Sequence, residues 1–254
     1  LSMILSACGN KDNKANDGSN GSNPTESAST ANEKKDGDTA KSDQEDFDIT
    51  VVSREDGSGT RGAFIELVGL EEEKDGEKKD LTTDEAVVQN STNGVMQTVS
   101  QDPSAIGYVS LGSVNDSVQK VKVDGAEATE ENIEAGDYTL QRPFNLAFKE
   151  EKLDDLAKDF LAFVLCKDAQ EIVGKEGYIK VEAKDYEAKK IKGNLTIAGS
   201  TSVTPLMEKL VEKYKDVNPD ANIEIQSTGS SAGIESTISD VSQIAMASRE
   251  LKDD

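Results

Sequence analysis

The sequence predicts an α/β fold from residue 47 onward. Three observations carry the prediction. Short runs of β-branched and apolar residues alternate with segments of helical period. A cluster of Gly, Ser and Thr follows such a run, and precedes a helix, at three separate places. Finally, 254 residues provide for one large domain or two small lobes.

In chain order, Ile49-Thr50-Val51-Val52 reads as a strand and Thr60 to Val68 as a helix. The acidic stretch Glu71 to Asp80 reads as a solvated loop. Ala86 to Val99 is expected to be helical, Ala105 to Val109 a short buried strand, and Val118 to Val123 another. Apolar residues at 153, 156, 157, 160, 161, 164 and 165 predict a helix from Leu153 to about Gly174. Leu195 to Ala198 is a strand. Leu206, Met207, Leu210, Val211 and Tyr214 then line one face of a helix with Pro205 in its first turn. Ile223-Glu224-Ile225 is a strand, followed by a short helix from about Ala232.

The first 46 residues have a different composition. Residues 9–46 are Asn, Asp, Ser, Gly, Lys, Thr and Glu with almost nothing apolar, so they cannot bury enough surface to offset ordering entropy. They are expected to form a flexible tether, with folded sequence starting at Phe47, the first aromatic. Before the tether, Leu5-Ser6-Ala7-Cys8 closes a short apolar run in the manner of a bacterial lipobox. Residues 1–8 are read as the remnant of a lipoprotein signal peptide, with Cys8 as the lipidation site; the end of an ordinary signal peptide is the plainer alternative. No run reaches the ~18 apolar residues of a membrane span, which leaves lipid as the membrane contact. Cys166 lies in an apolar run and is expected to be a buried, inert thiol.

Composition excludes several chemistries. The chain has no His, so no mechanism here uses a His base, nucleophile or metal ligand. A net charge of −22 argues against nucleic-acid binding, which needs a basic surface.

The chemistry rests in the three clusters: Asp56-Gly57-Ser58-Gly59-Thr60, Gly199-Ser200-Thr201-Ser202 and Thr228-Gly229-Ser230-Ser231. Each offers hydroxyl donors and the free N–H groups of a helix start, which carries roughly half a positive charge. That is the chemistry of an anion site. Any one cluster alone is what plain N-capping would produce; three of them could converge on one small oxyanion. Short-range donors would then hold an anion despite the acidic whole, because the global field is screened over about 8–10 Å. Arg54, at a strand end, is the better candidate for charge-assisted bonds to that anion, with Asp56 positioned to hold its fork; Arg61 reads as a solvated helix side chain. Gly57-x-Gly59-x-x-Gly62 also matches the dinucleotide fingerprint, but the acidic residue at the end of a second strand is lacking.

Several blocks resemble the phosphate-binding proteins of the bacterial high-affinity phosphate ABC transporter, the PstS family. They are Val52 to Phe64, Gly199 to Leu210, Ser227 to Gly233 and Ile244 to Leu251, supported by Ala105 to Tyr108, Arg142-Pro143-Phe144 and Gln170 to Tyr178. The resemblance covers about residues 47–254. It implies a two-lobed periplasmic-binding-protein fold (type II) with phosphate in the cleft, lobes at 47–141 and 142–254, no cofactor and no enzymatic activity. Carried over by motif, Arg54, Ser58, Gly59 and Thr60 would bind phosphate from one lobe. Thr201, Ser202 and Ser230, with Ser231 as neighbouring alternative, would bind from the other. Asp56 would orient Arg54, and Ser248 and Arg249 would support the site; in some members a carboxylate stands where Arg249 is. The implied partners are inorganic phosphate and the permease subunits, with the protein a lipid-anchored monomer on the outer face of the cytoplasmic membrane. The Gly-Ser-Thr-Ser block comes early in the family but late here, so circular permutation, or a remnant of tandem duplication, is expected, with the C-terminal side incomplete. Two other readings stand beside this one: a surface or signalling lipoprotein that keeps the fold without transport, and, on the glycine fingerprint, an NAD-dependent enzyme.

Overall fold

The computed structural model describes residues 3–6, 48–74 and 77–251. Cys8, the expected tether and Phe47 lie outside the described residues. The chain runs β1 (Met3–Ser6), β2 (Thr50–Arg54), α1 (Gly59–Leu67), β3 (Glu71–Lys74), β4 (Glu77–Asp80), β5 (Val87–Gln89), α2 (Thr92–Gln101), β6 (Ala105–Ser110) and α3 (Glu130–Glu134). It continues through β7 (Asn145–Ala147), α4 (Asp155–Val164), α5 (Lys167–Lys175), β8 (Gly193–Gly199), α6 (Thr204–Val217), β9 (Ala221–Ser227), α7 (Ser230–Ile238) and β10 (Ile244–Ala247).

Two four-stranded sheets repeat one topology. The first has the order β1-β6-β2-β5, the second β7-β10-β8-β9. In each, the first strand of a βαβαβ run lies between the other two and pairs parallel with both. An antiparallel strand closes one edge, β1 against β6 and β7 against β10. Because the two crossovers leave the central strand for opposite sides, each sheet has a switch point at the carboxyl end of that strand, where α/β sheets place ligands. The carboxyl ends of β2 and β8 carry the first two Gly/Ser/Thr clusters.

Separate cores hold the two sheets. Beneath β8, β9 and β10, Leu156, Phe160 and Phe163 of α4 meet Leu195, Ile197, Met207, Leu210 and Tyr214 in one buried cluster. Asp159 is buried in that cluster, where its carboxylate accepts from Tyr214 at 2.7 Å and Tyr186 at 3.0 Å. On the other side, Val52 packs with Val95, Val99, Ala105 and Val109, and Ala63 with Ile133, Tyr138 and Leu140. Cys166 is buried and free.

The α/β class and most elements match the sequence reading, and four segments correct it. Glu71 to Asp80 forms an antiparallel hairpin rather than a loop, its opposed charges pairing across the strands, as between Lys78 and Glu71. The expected helix from Ala86 gives way to β5 and starts only at Thr92, because Val87 and Val88 extend alongside β2. Val118 to Val123 forms no strand, only isolated bridge residues at Lys120 and Val123; a turn at Asp124 and Gly125, both at positive φ, joins Val123 to its bridge partner Ala126. The long helix breaks at Cys166, whose backbone is extended and bridges to Lys184, so α4 and α5 are separate.

Arg61 is the fifth correction. It is no solvated side chain: its guanidinium donates to the Arg54 carbonyl at 2.8 Å and pairs with Asp80 at 2.8 Å and Asp56 at 2.9 Å. This clamp fixes the strand end that carries Arg54. Burial would raise the Asp80 carboxyl, but bonds from Thr82 and from Arg61 outweigh it and hold the group below the usual carboxylate range. A depressed folded pKa adds stability above the unfolded pKa that is lost as pH falls through the folded value. Asp80→Asn should therefore cost roughly 1 kcal/mol or less at neutral pH, since water still screens the pair. In urea titrations that difference from wild type should vanish below the carboxylate range; a difference constant with pH would refute the linkage.

Candidate functional site

The expected clusters meet. Four helices, α1, α2, α6 and α7, begin in one region between the two sheets. Each follows a strand directly, so the chain geometry that ends the strand also aims the helix N-terminus at the crevice. Thr60 Oγ1 of α1 lies 2.8 Å from Ser202 Oγ and 3.3 Å from Ser248 Oγ. Ser200 donates to Ser248 at 2.8 Å, and the Ser248 N–H donates to Ser230 Oγ at 3.2 Å. Thr92 Oγ1, on α2, is 3.0 Å from Ser202 Oγ and 3.2 Å from Thr201 Oγ1. Thr60, Thr92, Ser200, Ser202, Ser230 and Ser248 are all buried. Burying this many hydroxyls is tolerable only because each finds a partner, and the same groups can redirect to an oxyanion.

Arg54 lies under these hydroxyls and is only 1% exposed. Its Nη2 donates to Thr201 Oγ1 at 3.1 Å and its Nε to the Gln89 carbonyl at 3.2 Å. The carboxylate that holds its fork is Glu55, not Asp56: Nε and Nη2 each reach a different Glu55 oxygen at 2.8 Å. Asp56 occupies the turn with Gly57, points to solvent at 97% side-chain exposure and pairs with Arg61. The turn swings its short side chain away from the strand end, so the expected support by Asp56 falls to its neighbour.

The other expected residues divide between interior and rim. Ser58 is buried and caps α1, accepting from the Arg61 N–H at 3.3 Å. Gly59 is buried against Ser230 and Ser248 of the opposite sheet. Ser231 is at the rim, where its N–H donates to the Gly57 carbonyl at 3.1 Å and its hydroxyl accepts from Arg249 at 3.0 Å. Of the other fingerprint glycines, Gly57 is exposed and faces Ser231, and Gly62 is half-buried and faces Arg249.

Thr92 and Arg142 escaped the sequence reading as site residues. Asn90-Ser91-Thr92-Asn93-Gly94 repeats the strand, polar cluster and helix design of the other three, a signal hidden by starting the helix at Ala86. Arg142 is 5% exposed, and its Nη2 donates to Thr60 Oγ1 at 2.8 Å. Burial, opposed by Tyr178 and reinforced by Arg54, lowers its pKa to about 9. The site thus combines neutral donors with two buried guanidinium groups, a set suited to holding a compact oxyanion.

Comparison with known proteins agrees with this geometry. A family model described as the PBP superfamily domain matches residues 30–168 and 185–254. The phosphate-binding protein PstS 2 of Streptococcus agalactiae is 54% identical over 205 residues, covering 80% of this chain and 70% of that protein. PstS 2 of Streptococcus pneumoniae is 47% identical over 206 residues, with the same coverage of each. A crystal structure of a phosphate-binding protein of a phosphate ABC transporter, from Streptococcus pneumoniae, superposes with a TM-score of 0.63 at 44% identity. The match covers 81% of this chain and 80% of that one.

Proposed function

The chain belongs to the PstS phosphate-binding proteins of the PBP superfamily, and from that premise we propose that it captures inorganic phosphate and delivers it to an ABC permease for import. The observation that carries the reading is the convergence of four helix N-termini and their hydroxyls beside the buried Arg54. Arg54, Ser58, Gly59 and Thr60 bind from the first sheet; Thr201, Ser202 and Ser230 bind from the second, with Ser231 and Arg249 at the rim. Ser248 orients Ser230 and Thr60. The two sheets are the lobes, divided near residues 141–142, and phosphate is held between them without being transformed. The protein acts as an extracytoplasmic monomer, anchored by lipid at Cys8 through the polar segment 9–46. Among the described residues no helix is long and apolar enough to cross a membrane.

Calorimetric titration of phosphate into the full chain tests this. Saturable one-to-one binding is expected. Thr201→Val keeps the shape and removes a donor to a charged ligand, so it should weaken binding by about 1.5–3 kcal/mol. A chain that is folded by circular dichroism but shows no heat with phosphate would refute phosphate capture and favour a surface or signalling role. Unchanged affinity in Thr201→Val would refute the site.

A further inference from the structure

We propose that Arg142 is a positioning residue of the anion site: by donating to the Thr60 hydroxyl, it commits that hydroxyl's one proton to the ligand. The inference rests on the phosphate reading above and adds a residue that acts on phosphate through Thr60. Three observations support it. Arg142 is buried, and its Nη2 donates to Thr60 Oγ1 at 2.8 Å. Its other acceptor is Ser110 Oγ, at a long 3.5 Å, while Nε and Nη1 have no hydrogen-bond partner among the described residues. Thr60 Oγ1 in turn lies 2.8 Å from Ser202 Oγ and 3.3 Å from Ser248 Oγ, both carried by the second sheet.

A hydroxyl has one proton and two lone pairs, and a guanidinium only donates. The bond from Nη2 therefore fills a lone pair of Thr60 and cannot take its proton. Without that bond, Thr60 could turn either a lone pair or its proton toward the cleft. With it, the proton is left for the groups on the cleft side. Those are Ser202 and Ser248 in the chain as it stands, and an oxyanion once one enters between them. A charged donor also polarises the hydroxyl that it bonds, which makes the O–H a stronger donor in turn. Support of the fold alone accounts poorly for this geometry. A buried guanidinium is costly to desolvate, and a paired carboxylate is what offsets that cost in a purely structural site. Here Glu55 gives both oxygens to Arg54, and the one short bond of Arg142 goes to a neutral hydroxyl of the site. The Phe144 ring, 5.7 Å from Arg142 Cζ, steadies the side chain in that direction.

The test is calorimetric titration of inorganic phosphate into the full chain as wild type, Arg142→Met, Thr60→Val and the double variant, with thermal unfolding of each. Thr60→Val should lose about tenfold or more in affinity, since it removes a donor to a charged ligand. Arg142→Met should lose about fivefold or more in the wild-type background. In the Thr60→Val background, where no hydroxyl is left to orient, it should lose less than about twofold. Equal losses in the two backgrounds would overturn the inference, because Arg142 would then act on phosphate without Thr60. So would a folded Arg142→Met with wild-type affinity and a lowered melting temperature, the mark of a structural role. Arg142→Lys keeps the charge and a donor, and it carries the test where Arg142→Met fails to fold. It should bind phosphate within about threefold of wild type; a loss as large as that of Thr60→Val would overturn the inference. Wild type that binds no phosphate would overturn the phosphate reading together with this one. Phosphate binding with equal Arg142→Met losses in both backgrounds would overturn this one alone.

Discussion

Arg54→Met should nearly abolish phosphate binding and measurably destabilise the chain. The guanidinium is 1% exposed and makes a two-pronged pair with Glu55 and a bond to Thr201 across the cleft. Truncating one member of a buried ion pair costs about 3–5 kcal/mol, because the other charge is left behind. Here the stranded carboxylate would also repel the incoming anion. Loss of a charged donor to the ligand, together with that repulsion, should separately lower affinity by roughly a hundredfold or more. Combining Arg54→Met with Glu55→Gln removes the stranded charge, so stability should recover while affinity does not. Recovery of both would mean that Arg54 serves only the fold. Arg54→Lys should still lose about tenfold, since an ammonium cannot reproduce the fork. Asp56→Asn should leave affinity unchanged, because its carboxylate faces water and Arg61.

Much of the site was legible because its determinants are local. A β-rich run, a Gly/Ser/Thr cluster and a helical period are contiguous in sequence, and contiguity places the hydroxyls at a helix start. Convergence of the clusters follows from topology: β2 and β8 are each the central strand of a sheet, so both switch points present such a cluster. What stayed hidden depends on distance or on a single dihedral step. Arg142 precedes Pro143 in a segment without periodicity, and its contact with Thr60 spans 82 positions. Glu55 and Asp56 are adjacent carboxylates after the same arginine, and only the turn at Gly57 decides which faces it. Thr92 was masked by a helical period carried back to Ala86, whereas Val87 and Val88 are β-branched residues that favour the strand they form beside β2. The hairpin at Glu71 to Asp80 was obscured by its charges, which in isolation describe a solvated loop and in fact pair across two strands.

Gly59→Ala should weaken phosphate binding without removing any donor. Gly59 opens α1, and its backbone N–H survives the substitution. The added methyl, however, points at the opposite sheet. Its carbon would overlap Ser230 Oγ and lie 2.9 Å from both Ser230 Cβ and Ser248 Oγ. The hydroxyls can rotate aside, but the Ser230 Cβ moves only if α7 moves. The methyl therefore acts as a wedge between the two halves of the site, at an overpacking cost of about 1–3 kcal/mol. In a binding protein whose ligand is shared between lobes, that cost falls on the closed form, so affinity should drop about ten- to a hundredfold. Each sheet keeps its own core, so thermal unfolding of the unliganded chain should change little. Gly62→Ala is the control, one turn later on the same helix. Its methyl would meet only Arg249 Cδ, at an ordinary 3.5 Å. Replacing Gly by Ala inside a helix is itself stabilising by roughly 0.5–1 kcal/mol. Phosphate affinity in that variant should stay near wild type. Equal losses in the two variants would mean that α1 senses methyl groups along its whole length rather than a contact between lobes. No loss in Gly59→Ala would mean that phosphate binds with the lobes further apart than they stand here.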